Sequence, residues 1–171
     1  YEHGMFLAQI ESIRNRFQID VGEIDFPMLP VFALFNPALG MTTVVPPMNP
    51  SRPAKADAAL QMRVMEKAGV TNSFGSPVLW NKIADEAEKT GAALGGMRRV
   101  LAAGAALPPS LVERLTRVVP NATIFSPYGA TEALPLTVIE GGEIRKLAAA
   151  TERGEGICVG RPIPGVEVMI I

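Results

Sequence analysis

The chain has 171 residues, enough for one domain with a substantial core, and a formal net charge of -1, which leaves no basic surplus to attract nucleic acid or anionic lipid. Its 48% hydrophobic and 19% charged residues describe a soluble, globular, apolar-rich protein with no low-complexity tract. Cys158 is the only cysteine and His3 the only histidine, which excludes an internal disulfide, argues against a zinc site and fits a reducing, cytoplasmic compartment.

The first helix is predicted over 3–17, where Phe6, Ile10, Ile13 and Phe17 recur at helical spacing and Glu11, Arg14 and Arg16 fall elsewhere on the wheel. Gly22, Glu23 and Asp25 break to an apolar stretch. No charge lies between Asp25 and Arg52, a length that invites comparison with a membrane span. Pro27, Pro30, Pro37, Pro46, Pro47 and Pro50, with Asn36 and Gly40, are too many interruptions for a spanning helix. The stretch reads instead as a strand over 26–31, a short helix or turn, and a second strand over 42–45.

A proline-rich link then leads to a helix over 54–67, with Leu60 and Val64 one turn apart and Gly69 as its stop. A strand over 70–74 precedes a helix opened by Pro77, whose buried line is Leu79, Ile83 and Ala87 and whose end is Gly91. A strand over 99–103 runs through Gly104-Ala105-Ala106-Leu107 into a helix over 109–119, built on Leu111, Leu115 and Val118 and stopped by Pro120. The next strand, 122–125, delivers the chain to Ser126-Pro127-Tyr128-Gly129-Ala130-Thr131-Glu132. Beyond it, 134–140, Gly141-Gly142 and 143–146 read as a hairpin-like excursion, and glycines and prolines punctuate the route to a last strand over 166–171. Uncharged strands alternating with amphipathic helices give the fold class: α/β, a mostly parallel sheet covered by helices on both faces, with a β-rich C-terminal excursion.

In such sheets ligands bind beyond the carboxyl ends of the strands. Two of those ends carry apt residues. Gly104, Ala105 and Ala106 leave room for a flat base, although close helix–sheet packing requires small residues equally. At the other end, Tyr128 offers a stacking face and Gly129 allows close backbone approach. Thr131 offers a hydroxyl to a phosphate oxygen, and Glu132 a carboxylate to a divalent cation. The alternative for 128–132 is an ordinary strand-to-loop turn with Thr131 as a cap. Phe32, Leu34, Phe35 and Leu39 read as core unless the substrate is itself an alkyl chain. His3 and Trp80 read as structural. Arg161, in a glycine- and proline-rich turn, reads as a surface arginine or a phosphate contact.

Tyr128-Gly129-Ala130-Thr131-Glu132 resembles the Y-G-x-T-E motif of the adenylate-forming superfamily of acyl-CoA synthetases and adenylation domains. Ala103-Gly104-Ala105-Ala106-Leu107-Pro108 resembles its G-G-A-x-L-P turn, and Val159-Gly160-Arg161-Pro162-Ile163-Pro164-Gly165-Val166 its V-G-x-P-x-P-G-V segment. Tyr1-Glu2-His3 resembles the tail of the stretch after the phosphate loop. Within the superfamily the resemblance is strongest to the β-lactone synthetases of long-chain olefin biosynthesis, through Pro30-Val31-Phe32-Ala33-Leu34-Phe35-Asn36-Pro37-Ala38-Leu39-Gly40 and Phe74-Gly75-Ser76-Pro77.

The resemblance implies ATP and Mg2+ as cofactors and a long-chain hydroxy or fatty acid as the small-molecule substrate. Tyr128 would stack on adenine, Gly129 and Ala130 would shape the nucleotide turn, Thr131 would contact phosphate and Glu132 would hold the metal. Thr131 and Glu132 are thus the expected catalytic pair. Gly104, Ala105 and Ala106 would line the adenine and acyl pocket, and Phe32, Ala33 and Phe35 the acyl pocket. The implied reaction is adenylation of a β-hydroxy acid and closure to a β-lactone. CoA enters only in the alternative, a fatty acyl-CoA or acyl-AMP ligase. A non-catalytic nucleotide-binding module is the reading from another class, and the intact Thr131-Glu132 pair argues against it. Other enzymes of the olefin pathway are the protein partners suggested.

By the same resemblance, the phosphate loop falls before Tyr1, and the ribose-binding aspartate and the mobile lid fall beyond Ile171. The expectation is a single fragment of an AMP-binding N-terminal domain, α/β over about 1–132 and β-rich over 133–171, inert by itself.

Overall fold

The computed structural model describes residues 2–169. Helix α1, His3–Phe17, buries Ile10, Ile13 and Phe17 on one stripe and ends at Gln18 in a left-handed conformation. Strand β1, Ile24–Asp25, is followed by a 3-10 helix, Pro30–Leu34, helix α2, Asn36–Leu39, and strand β2, Thr42–Thr43. The sequence suggested a strand over 26–31. Only Ile24 and Asp25 are extended in the sheet here, because Pro27 and Pro30 donate no ladder hydrogen bond and Pro30 opens the 3-10 turn.

Helix α3, Ala58–Ala68, is capped by Asp57, which accepts from the Leu60 N–H at 3.0 Å. It buries Gln61, Met62 and Met65, with Leu60 and Val64 only half-buried. Strand β3, Asn72–Gly75, runs into helix α4, Pro77–Thr90, capped by Ser76. Strand β4, Arg99–Ala102, is followed by helix α5, Pro109–Val118. Strands β5, Thr123–Ala130, and β6, Ala133–Glu140, form a hairpin. Short helices α6, Gly141–Lys146, and α7, Ala148–Glu152, precede strand β7, Arg161–Pro162.

The C-terminal excursion thus contributes two strands, but Gly141–Lys146 is helical where the return of a hairpin was expected, and a second short helix, Ala148–Glu152, follows it. Gly141 does not turn a hairpin. A Cβ there would meet Val112 Cγ1 at 2.8 Å, so the glycine serves the close approach to α5. Residues 166–169 are not in a strand, and Tyr1, Ile170 and Ile171, on which parts of the first motif and the last expected strand fall, lie outside the described residues.

The seven strands form one sheet in the order β2-β1-β3-β4-β5-β6-β7, parallel from β2 through β5 and antiparallel from β5 to β7. Alternation along the strands sorts the core into two layers. Val100, Ala102 and Ile124 face one layer with Met65, Trp80, Ile83, Leu111 and Leu115 from α3, α4 and α5. Phe74, Leu101 and Phe125, aligned in register, face the other with Ile10, Ile13, Phe17, Phe35 and Leu39 from α1 and α2. Truncating a fully buried side chain such as Trp80 or Leu115 would cost about 2–5 kcal/mol.

A charged cluster closes the amino ends of the parallel strands. Arg99 at the start of β4 pairs with Glu23 just before β1, both almost fully buried, and Thr71 donates its hydroxyl to Glu23 at 3.0 Å. Burial pushes the Glu23 carboxyl up, but the Arg99 pair and bonds from the Asp20 N–H and Thr71 outweigh it and hold the group below its ordinary range. No helix among the described residues is long and apolar enough to cross a membrane.

Candidate active site

The opposite, carboxyl ends of the parallel strands carry the candidate site. Strand β4 ends at Ala102, and the chain opens into the exposed turn Gly104, Ala105 and Ala106 before Pro109 starts α5. Gly104 has φ of +87, the left-handed region that a glycine enters without steric cost. The neighbouring strand β5 overshoots β4. Its last register partner on that side is Phe125, after which it pairs only with β6, through Tyr128 opposite Thr137 and Ala130 opposite Ala133, with a bulge between.

The motif at 128–132 is therefore the end of a strand and the tip of a hairpin, not a free loop. Thr131 and Glu132 are the two connecting residues, both exposed. Tyr128 presents its ring with 55% of its surface exposed. A Cβ on Gly129 would stand 2.5 Å from the Ala133 carbonyl, so the crossing of the two strands at the bulge admits only glycine without displacement.

A cavity of about 770 Å³ lies between these two strand ends. Gly104, Ala105, Ala106, Tyr128, Gly129, Ala130 and Thr131 all line it. Its apolar wall includes Leu29, Phe32, Phe35 and Leu134, a lining suited to a hydrocarbon chain. Phe32 stacks on Phe74 and Phe35 on Phe6, so both aromatic walls are held by further rings. Ala33 is half-buried and does not line the cavity. Glu132 does not line it either. It lies on a second cavity of about 970 Å³, between the hairpin, α1 and the segment around Ile163.

Several lining residues were not anticipated. Ile144, Leu147, Thr151, Ile157, Cys158 and Val159 close the cavity from the C-terminal segment, where no periodic pattern marked them. Gln9 is the other. It lies on the buried side of α1, 6% exposed, lines both cavities, and donates its Nε2 to the Glu132 carbonyl at 3.3 Å. A polar residue in line with Phe6 and Ile13 was the available signal. His3 and Arg161 are exposed and line neither cavity; Trp80 is fully buried in the core.

The aromatic wall is anchored from below. Asn36, next to Phe35, donates its Nδ2 to Asp25 Oδ2 and to Thr43 Oγ1, each at 2.8 Å. Asn72 donates to the other Asp25 oxygen at 2.6 Å. Asp25 is 1% exposed, and burial raises its pKa to about 6 against the lowering influence of the two amides, the Phe26 N–H and the Arg99 charge.

A family model described as AMP-binding enzyme matches residues 25–171. The chain belongs to that family. Among curated relatives, the olefin beta-lactone synthetases of Stenotrophomonas maltophilia (strain K279a) and Xanthomonas campestris pv. campestris are each 44% identical over 172 residues, covering 100% of this chain and 30% of the relative. The long-chain-fatty-acid–CoA ligase of Thermus thermophilus is 34% identical over 84 residues, 49% of this chain and 15% of that protein. The chain therefore spans about 30% of the length of its full-coverage relatives. Among solved structures, the peptide synthetase FmoA3 bound to alpha-methyl-L-serine-AMP superposes with a TM-score of 0.76 at 22% identity, covering 94% of this chain and 18% of that one. The amide bond synthetase McbA from Marinactinospora thermotolerans gives 0.72 at 21% identity, covering 95% and 32%. At those identities the agreement speaks for the fold: this sheet and its two helical layers are shared with those enzymes.

Proposed function

We propose that this chain is the nucleotide- and acyl-binding part of an ATP-dependent, AMP-forming ligase that activates a long-chain β-hydroxy acid and closes it to a β-lactone. The supporting observation is one cavity that joins a small-residue turn and an exposed tyrosine, suited to a nucleotide, to an aromatic and aliphatic wall suited to an alkyl chain. The 44% identity over the whole of this chain to two olefin beta-lactone synthetases supports this reading within the family.

In this reading the substrate carboxylate oxygen bonds to the α-phosphorus of ATP as the bond from that phosphorus to pyrophosphate breaks. The β-hydroxyl oxygen then bonds to the acyl carbon and releases its proton, the acyl–phosphate bond breaks, and AMP leaves with the β-lactone. Tyr128 stacks on the adenine, with Gly104, Ala105 and Ala106 as the opposite wall. Gly129 and Ala130 let the nucleotide approach the strand end. Thr131 donates its hydroxyl to a phosphate oxygen, positioning it and stabilising charge that grows in the transition state. Phe32 and Phe35 hold the hydrocarbon and exclude water around the reacting carboxyl.

Among the described residues no three His, Cys, Asp or Glu side chains cluster as a metal cage. A magnesium ion that keeps its bonds to phosphates needs only one or two carboxylates from protein, and the exposed Glu132 fits that role. Bound there, magnesium supplies Lewis-acid stabilisation of phosphate charge.

The test incubates a full-length protein carrying this chain with ATP, magnesium and a long-chain 2-alkyl-3-hydroxy acid, with and without CoA, and identifies the product by mass and NMR. A β-lactone formed without CoA is the expected result. A thioester formed only with CoA would replace the reading with that of an acyl-CoA ligase.

A further inference from the structure

We infer that Gln9 is a specificity-determining residue whose carboxamide oxygen accepts a hydrogen bond from the β-hydroxyl of the acid substrate. The inference rests on the hydroxy-acid reading above and names the group that recognises the hydroxyl.

Gln9 is the one polar side chain among the buried residues of α1, which are otherwise Ile10, Ile13 and Phe17. Its Nε2 faces the Glu132 carbonyl at 3.3 Å. A carbonyl oxygen only accepts, so this contact fixes the amide with nitrogen toward the hairpin and oxygen away from it. That oxygen, Oε1, is buried and has no hydrogen-bond partner in the protein. A buried amide oxygen without a donor is a standing cost to the fold, and an apolar side chain of similar length would pack α1 against the hairpin without incurring it. The position therefore suits a donor that arrives with a ligand.

The surroundings indicate which ligand. Gln9 lines the cavity shared by Thr131 and the apolar wall, and it is tied to Glu132, the residue next to Thr131. Gln9 thus lies beside the end of the cavity where the carboxylate must react. A β-hydroxyl is carried two carbons from that carboxyl carbon, whereas the rest of a long-chain acid is hydrocarbon and offers no donor. Sites that provide a buried partner for a substrate hydroxyl discriminate strongly against the analogue lacking it, because the partner is then left unpaired.

The experiment uses the full-length protein and a pair of substrates, a long-chain 3-hydroxy acid and the same acid without the hydroxyl, with pyrophosphate release as the readout. Binding of two acyl sulfamoyl adenosines differing only in that hydroxyl is measured by calorimetry. The wild-type protein is expected to prefer the hydroxylated member of each pair by about tenfold or more. Gln9→Met, which keeps length and packing, should reduce both preferences to about one, the loss falling on the hydroxylated ligand. Equal losses on both ligands in that variant would mean that Gln9 only holds the hairpin tip, and would overturn the inference. So would a wild-type protein that activates both acids without preference, or a preference that survives Gln9→Met. If Gln9→Met does not fold, the wild-type calorimetric pair still decides. A wild-type protein that releases pyrophosphate with neither acid overturns the proposed function and this inference together.

Discussion

Replacing Asp25 by asparagine is expected to stabilise the chain at neutral pH relative to the native residue, with an advantage that vanishes in acid. The folded-state pKa of Asp25 is raised by burial to about 6, against 3.8 for an ordinary aspartate. At about 1.4 kcal/mol per pH unit, that gap corresponds to about 3 kcal/mol. The direction follows from which state holds the proton. Well below 4 the carboxyl is protonated in both folded and unfolded chains, and the folded chain bears no penalty for a buried charge. As pH rises the unfolded chain ionises first, and stability falls until the folded chain ionises near 6. Asparagine never ionises and escapes that loss. It is also accommodated locally, because Asn36 still donates to its oxygen and the unpartnered Asn72 Oδ1 is free to turn and accept from its new amide.

The measurement is urea denaturation of both forms between pH 4 and 7.5, followed by fluorescence of Trp80, the only tryptophan and fully buried. The difference in unfolding free energy should shift in favour of Asp25→Asn by about 2.5 kcal/mol across that range, the rest of the gap falling below pH 4. A difference that stays constant with pH would refute the reasoning, since Asp25 would then ionise as readily folded as unfolded. The native carboxylate has one advantage that asparagine lacks: it accepts from Asn36 and Asn72 at once, tying the segment that carries Phe35 to β3.

Three further outcomes follow from the same structure. Glu132→Gln, at an exposed position, should lower pyrophosphate release by about a hundredfold or more in the full-length protein while thermal melting stays in place; undiminished release would remove Glu132 from the metal role. Gly129→Val places carbon 2.5 Å from the Ala133 carbonyl and 3.0 Å from Leu134 Cδ1, so the urea midpoint should fall by an equivalent of about 1–3 kcal/mol, and an unshifted midpoint would mean that the hairpin tip yields freely. Arg99→Leu strands the buried Glu23 and should cost about 3–5 kcal/mol, with much of the loss recovered in the Glu23→Leu, Arg99→Leu double variant; additive losses would contradict a coupled pair.

How far the sequence disclosed this arrangement depended on whether the decisive interaction was local. Helices α1, α4 and α5 were legible because each repeats its own apolar spacing, and β3 and β4 because short runs between helices, uncharged but for Arg99 at the start of β4, have no place but the middle of a parallel sheet. The extension of β5 was not. Pro127 and Gly129 argue locally for a break, and only pairing with β6, together with the backbone crossing that needs Gly129, keeps the strand going to Ala130. Gln9 was hidden for a related reason: one polar residue in an amphipathic helix reads as part of the wet face until the hairpin tip is laid against it. The same tip separates two residues that the motif writes side by side. Thr131 lines the cavity with the apolar wall and Glu132 lines its neighbour. A ligand that engages both must cross the hairpin tip, over the exposed backbone of 129–131, and Gln9 lines the cavities on both sides of that crossing. Adjacency in the motif therefore encodes two sides of one edge, which suits a triphosphate that bonds to a hydroxyl on one side and, through its metal, to a carboxylate on the other.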